Sequence, residues 1–295
     1  MLLPLSGVPK SLASGLMKHC NLSIVDWVYK TFPDGEQYLR LLSDVEGKKI
    51  VVAQSLYPNQ DSKVVELYLA LEALQGLNAS TPVVVIPYMA YARQDKRFLK
   101  GEPISVKAVY EPLKLFNVKK LVVVDMHSQS ISNLISVDVA NILPHAYMIK
   151  SAGVKIDFVL SPDKGALHRA ENVAKTINVG FNYLDKFRDR VTGEIRVDLR
   201  ELDVKNSNVA IVDDIISTGG TVAKACQILY NLGANKVYAV VTHALLSEKS
   251  LETLSKAGLT MLITSNSITH TIQLPQWVLV TDLSELICEE VRKIM

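Results

Sequence analysis

Two adjacent carboxylates, Asp213 and Asp214, close an apolar run, VAIVD, and are followed by Ser217, Thr218, Gly219, Gly220 and Thr221. Glycines let backbone N–H groups turn toward an anion, and a helix N-terminus favours negative charge. The three hydroxyls add donors, so the turn reads as a phosphate cradle. The acids beside it cannot bind phosphate directly. They suit sugar hydroxyls or a magnesium ion. Neither GxxxxGK[ST] nor GxGxxG occurs in the chain, so any ATP is bound without a P-loop or a dinucleotide loop.

Other polar clusters follow apolar runs. FPDGEQYLR (32–40) sets Asp34 and Glu36 around Gly35. YARQDKRFLKGEPIS (91–105) supplies Arg93, Gln94, Lys96 and Arg97 after the run VVVIP. DMHS (125–128) carries Asp125 and His127, and SPDKGALHRA (161–170) carries Asp163 with Lys164 and Gly165. DKFRDRVTGEIRVDLR (185–200) is unusually charged, contains Lys186 and Arg188, and reads as an exposed hairpin or loop. Singly these are weak signals: a turn, a solvated basic loop, a satisfied polar histidine.

Strands and helices must position these groups. Short β-branched runs at 49–54, 83–87, 121–125, 158–161, 209–213, 237–243 and 261–265 suit strands buried on both faces. Between them lie helical patterns. Ser62 to Leu74 puts Val65, Leu69 and Leu74 near one face. Thr221 to Leu232 does so with Val222, Ala225, Ile228, Leu229 and Leu232, and stops at Gly233. Alternating strand and helix implies an α/β fold of mainly parallel sheets with right-handed crossovers, which bind ligands beyond the carboxyl ends of the strands. The stretch 141–155 is the weakest link between two βα series. The expected division is therefore 1–145 and 146–295.

Bulk properties exclude other classes. A chain of 295 residues suits two domains. A net charge of +2 gives no basic field for nucleic acid. The start, MLLPLSGVPK, lacks a basic n-region, and the longest apolar run, Val83 to Ala92, is half a membrane span. The expectation is a soluble cytoplasmic protein with no membrane partner. Cys20, Cys226 and Cys288 stand far apart without a CxxC pair, so buried free thiols in a reducing compartment are expected.

The loop at 213–221 resembles the PRPP-binding motif of type I phosphoribosyltransferases. Taken in order, FPDGE, YARQD, DMHS, SPDKG, DKFR and VDDIISTGGT resemble the signature series of the ribose-phosphate pyrophosphokinase (PRPP synthetase) family. The resemblance implies two phosphoribosyltransferase-like domains, the second carrying the PRPP loop. It implies diphosphoryl transfer from ATP to ribose 5-phosphate for nucleotide biosynthesis, with Mg2+ as cofactor. By the same resemblance Asp34, Gly35, Glu36, Arg93 and Gln94 bind ATP, and the first three often do so across a subunit interface of a homo-oligomer, dimer or hexamer. His127 and Asp163 match metal positions. Asp213, Asp214, Ser217, Thr218, Gly219, Gly220, Thr221 and Arg188 bind ribose 5-phosphate. Lys186 and Arg188 are catalytic cations on a loop that closes over substrates. Phe187 stands where many members have arginine, and DMHSQS departs from the commoner pattern after the histidine. Two rivals share the loop: a transferase that consumes PRPP, and a non-catalytic nucleotide-binding relative. The first needs no ATP segment; the second should have lost its cations or metal ligand.

Overall fold

The computed structural model describes residues 1–188, 195–198 and 203–295; for 81–82, 185–188 and 195–198 it describes the backbone alone. In chain order the elements are β1 (Leu2–Pro4), α1 (Lys10–Cys20), β2 (Trp27–Thr31), β3 (Gln37–Leu41), β4 (Lys49–Ala53), α2 (Gln60–Gly76), β5 (Ser80–Ile86), α3 (Ser105–Tyr110), β6 (Lys120–Val124) and β7 (Asp138–Ile142). There follow α4 (His145–Ala152), β8 (Phe158–Ser161), α5 (Leu167–Ile177), β9 (Gly180–Tyr183), β10 (Asp185–Arg188), β11 (Ile195–Asp198), β12 (Asn208–Ile216), α6 (Gly220–Asn231), β13 (Lys236–Ala244), α7 (Glu248–Lys256), β14 (Met261–Ser265), β15 (Val278–Thr281) and α8 (Ser284–Arg292).

Two compact units result. The first comprises Met1–Ile142, Asn266–Thr269 and Asp282–Met295, and the second Leu143–Ser265 and His270–Thr281. The expected second domain ran unbroken to residue 295. Instead Asp282–Met295 groups with the first unit, because α8 packs on α1. Gly15 makes that approach possible: a Cβ there would fall 2.2 Å from Ser284 Oγ.

The first unit holds a sheet in the order β1-β4-β5-β6-β7, parallel at every pair. Ile50, Val51, Val52 and Ala53 are all buried, as are Leu121 to Val124. Consecutive buried residues mean that both faces of the strands are covered, since side chains alternate between them. In α2 the buried face is Leu67, Ala70, Leu71 and Leu74, while Val65 is exposed. This corrects the expected face of Val65, Leu69 and Leu74. The spacing of three, four and seven from Leu67 makes a continuous stripe, which the five-residue step from Leu69 to Leu74 does not. Strands β2 and β3 form a separate antiparallel hairpin.

The second unit repeats the plan with a sheet in the order β15-β14-β13-β12-β8-β9, again parallel throughout. Val209, Ala210, Ile211 and Val212 are fully buried in its middle. Helix α6 buries Val222, Ala225, Cys226 and Leu229 and stops before Gly233, whose φ is +84°. The charged stretch is in part a hairpin, β10 pairing antiparallel with β11; residues 189–194 and 199–202 lie outside the described residues.

The expectation of three free thiols is wrong for two of them. Cys20 at the end of α1 and Cys288 in α8 form a disulfide, with Cα atoms 5.2 Å apart and a sequence separation of 268; only Cys226 is free, and it is buried. Spacing along the chain carries no information about such a pair. It exists because two helices from opposite ends of the chain pack together, and the compartment inferred from unpaired thiols loses that support. Arg292 Nη2 also donates to the His19 carbonyl at 2.9 Å, so the helix ends are tied twice.

A cross-link that closes several hundred residues removes much unfolded-state freedom, about 5 kcal/mol in the chain-entropy description. Cys288→Ala, or reduction of the native protein, is therefore expected to lower the thermal midpoint of the first unit by roughly 5 °C or more. Calorimetry with and without reductant checks this; identical midpoints would show that the bridge contributes nothing.

Candidate active site

In the second unit, β12 outruns its neighbour β8. Their pairing ends at Ile211 and Leu160, so Asp213 and Asp214 stand beyond the end of one flanking strand. On the other side β13 accompanies β12 as far as Ile216 and Ala244. The chain then turns through Ser217 and Thr218, both exposed, into α6. Gly219 precedes the helix in left-handed conformation, φ +77°, and a Cβ there would lie 3.1 Å from Leu254 Cγ and 3.3 Å from the Ser250 carbonyl oxygen. Both backbone angle and space demand glycine. No side chain caps α6, and no acid stands in its first turn. Its N–H groups therefore open beside the hydroxyls of Ser217, Thr218 and Thr221, and the helix dipole adds partial positive charge.

The two acids differ sharply. Asp213 is half-buried, whereas Asp214 is 4% exposed. The Asp214 carboxylate meets the guanidinium of Arg169, Oδ2 to Nη2 at 3.6 Å, and Arg169 is itself 1% exposed. Asp213 is fixed at two points. Its Oδ1 accepts the backbone N–H of Asp214 at 2.9 Å, and its carbonyl oxygen accepts from Nε2 of buried His145 at 3.0 Å. The same ring nitrogen is 3.2 Å from Thr242 Oγ1. Burial pushes the Asp213 carboxyl well above the usual carboxylate range; the charge of Asp214 pushes the same way, and Arg169 opposes both.

Sequence reasoning missed Arg169 and His145. In SPDKGALHRA the sequence directs attention to Asp163, Lys164 and Gly165 and gives Arg169 no role, and His145 lies in the stretch 141–155 read as a link between domains. One signal was present: two acids ending a buried strand require a counter-charge nearby. The helix following the neighbouring strand is the natural source. Asp163 starts that connection. It is exposed, and its Oδ1 accepts the N–H groups of Gly165 at 2.9 Å and Ala166 at 3.1 Å, which leaves its other oxygen toward solvent.

In the first unit the polar residues again gather at strand ends. Arg93 is exposed and Gln94 half-buried, in the segment after β5. Gln94 Oε1 accepts from Ser105 Oγ at 3.3 Å. His127, half-buried, follows β6. A polar bridge ties the two segments: Ser130 Oγ donates to Asp95 Oδ2 at 3.0 Å and lies 2.8 Å from Ser128 Oγ. Burial pushes the Asp95 carboxyl up, yet the hydroxyls of Ser128 and Ser130 donate to it and hold it below its usual range. The segments that carry Arg93 and Gln94 on one side and His127 on the other are thus joined through Asp95 and Ser130. Asp34, Gly35 and Glu36 lie instead at the tip of the β2–β3 hairpin, where Asp34 Oδ1 accepts the Glu36 N–H at 3.1 Å and Gly35 has φ +97°. Lys30 Nζ stands 4.5 Å from the centre of the Phe32 ring behind that tip.

The side chains of Lys186 and Arg188 lie outside the described residues; their backbone belongs to β10, opposite Val197 and Ile195. Among the described residues no three His, Cys, Asp or Glu side chains stand close enough to hold a metal ion by themselves. A cation held here would complete its shell with other oxygens. One or two carboxylates plus substrate phosphates is the usual arrangement for magnesium, and the open oxygen of Asp163 fits it.

Residues 4–116 match the N-terminal domain of ribose phosphate pyrophosphokinase, and residues 139–271 match the phosphoribosyl transferase domain. The chain is 40% identical over 266 residues to a protein from Sulfolobus acidocaldarius named ribose-phosphate pyrophosphokinase, covering 89% of this chain and 90% of that one. It is also 40% identical over 248 residues to the protein of the same name from Pyrococcus furiosus, covering 83% and 86%. The crystal structure of phosphoribosylpyrophosphate synthetase from Mycobacterium smegmatis superposes with a TM-score of 0.88 at 28% identity, covering 100% of this chain and 98% of that one.

The raised carboxyl of Asp213 has a consequence for stability. With its folded-state value above the unfolded value of about 3.9, the folded protein binds the proton more tightly, and stability falls as pH rises through that window. Asp213→Asn removes the cost of ionising the group. The variant is expected to melt above the parent at pH 7 and to lose this advantage below about pH 4, where the unfolded carboxyl is also protonated. Thermal melts across that pH range check it; an equal or lower midpoint at pH 7 contradicts the charge balance described.

Proposed function

The chain belongs to the ribose-phosphate pyrophosphokinase family, and from that premise we infer how its residues share the work. The reaction joins ATP and ribose 5-phosphate to give PRPP and AMP. The C1 hydroxyl oxygen of the sugar attacks the β-phosphorus of ATP. The bond from that phosphorus to the oxygen bridging it to the α-phosphate breaks, AMP departs with the bridging oxygen, and the hydroxyl proton passes to solvent or to a phosphate oxygen. The β,γ-diphosphoryl group moves as a unit. Such a transfer depends on alignment and charge neutralisation rather than on covalent help from the protein.

One observation carries this reading: a half-buried carboxylate, Asp213, stands at a strand end whose following turn leads into an uncapped helix start lined by exposed hydroxyls. Acceptors for ribose hydroxyls and donors for a phosphate thus stand a few residues apart. On this reading Ser217, Thr218, Gly219, Gly220 and Thr221 hold the 5-phosphate and Asp213 orients the sugar. Asp214, buried against Arg169, bears on the sugar through its neighbour. Arg93 and Gln94 bind ATP phosphates or ribose, and Asp34, Gly35 and Glu36 face the base. His127 and Asp163 are the residues assigned to magnesium, which when bound would neutralise charge on the ATP oxygens. Lys186 neutralises charge developing on the β-phosphate and the leaving oxygen; Arg188 does so too and also contacts the sugar phosphate. A homo-oligomer, dimer or hexamer, is supported by the apolar side chains that the β2–β3 hairpin and its flanks leave exposed: Ile24, Val28, Phe32, Tyr38 and Leu42. The cytoplasm, where ATP is made and spent, is the compartment implied. Among the described residues no helix is long and apolar enough to cross a membrane.

AMP release that requires ribose 5-phosphate, stops with a chelator and returns with magnesium is the expected assay result; turnover that instead depends on tightly held zinc would contradict the metal assignment. Lys186→Ala is expected to cut kcat by roughly a thousandfold or more, since contacts made mainly in the transition state affect turnover. A near-normal kcat with only a raised KM for ATP would place Lys186 in ground-state binding.

A further inference from the structure

Among the described residues, Arg169 is one of the largest fully buried side chains. Burying a guanidinium is costly, and a buried ion pair is often no more stable than an apolar pair of the same volume. Its presence under the PRPP loop therefore calls for a reason other than packing. The geometry supplies one. Arg169 lies in the first turn of α5, on the strand-end side of β8, and its Nη2 reaches Asp214 Oδ2 at 3.6 Å. The Asp214 backbone N–H in turn donates to Asp213 Oδ1 at 2.9 Å. A single chain of contacts runs from the buried cation through the second acid to the first.

We propose that Arg169 is a positioning residue for ribose 5-phosphate: by holding Asp214 inside the protein, it keeps the Asp213 carboxylate aimed at the sugar hydroxyls. The proposal rests on the reading that Asp213 accepts from those hydroxyls. Without the guanidinium, two adjacent carboxylates would lose the positive charge that opposes their mutual repulsion. They could relieve that only by turning apart or by taking up a proton, and either costs Asp213 its role as a fixed acceptor. Burial and the charge of Asp214 already push the Asp213 carboxyl upward, with Arg169 opposing. Lysine would be a poor substitute, because its point charge lacks the rigid fork that spans a carboxylate.

Steady-state kinetics with each substrate varied separately test this on four variants. Arg169→Met should raise the KM for ribose 5-phosphate roughly tenfold or more while leaving that for ATP within about twofold. Arg169→Met combined with Asp214→Asn removes both charges, and should bring the KM for the sugar back to within about threefold of the parent. A purely structural arginine would instead lower the amount of active enzyme at unchanged KM, and the second substitution would not rescue it. Should the single Met variant not fold, Arg169→Lys carries the same expectation of a raised sugar KM. A folded Arg169→Met or Arg169→Lys with parental KM for ribose 5-phosphate overturns the proposal, as does a double variant no better than the single one. Asp213→Asn separates the two levels. If it raises the sugar KM and the Arg169 variants do not, only the role of Arg169 falls; if it leaves the sugar KM unchanged, the ribose reading falls with it.

Discussion

A parallel sheet covered on both faces leaves only its strand ends for groups that need water or charge, and this constraint sets where chemistry can occur in both units. The strand interiors are apolar through consecutive residues, 50–53 and 121–124 in one unit and 209–212 in the other. Parallel pairing points all the carboxyl ends the same way within each sheet. The loops that leave those ends, after β5, β6, β8 and β12, carry Arg93, His127, Asp163 and the glycine-rich turn at 217–221 respectively. Chemistry and packing are thus divided along each strand rather than between different elements.

At the end of β12 the division becomes a compromise. Two acids follow four fully buried residues, where an unpaired charge is expensive. The protein meets the cost for Asp214 with a buried arginine and leaves Asp213 half-buried, displaced upward in proton affinity and clamped through its own backbone. A fixed, partly desolvated carboxylate is a poor choice for stability and a good one for binding. An acceptor in such a low-dielectric setting makes stronger hydrogen bonds than one in bulk water. Sites that sacrifice stability for function in this way are common, and they explain why local sequence rules fail there first.

The first unit shows a second use of tertiary structure. The last helix returns to pack on the first, and a disulfide and an Arg292 contact fasten the pair. Both chain ends are thereby secured within one unit. The β2–β3 hairpin, by contrast, keeps much of its apolar surface outward.

Much of this was legible in the order of residues. The seven β-branched runs are all strands, because an apolar run too short for a helix and bounded by turn residues has few other ways to bury itself. The glycines after Asp213 and Asp214 marked a tight turn into a helix, because that local geometry is set by backbone freedom alone. What lay beyond the sequence were relations across space. Nothing in the spacing of Cys20 and Cys288 says that α1 and α8 touch. The face of α2 was legible in the spacing from Leu67, but a looser stripe through Val65 competed with it until packing buried the first and left Val65 exposed. Nothing in the identity of Asp213 and Asp214 distinguishes the acid held inward from the one left half-buried. That choice is made by Arg169 and His145, which come from other helices. Local conformation follows from a residue and its near neighbours; the partner of a buried charge or thiol follows from which elements pack together, and only the folded chain decides that.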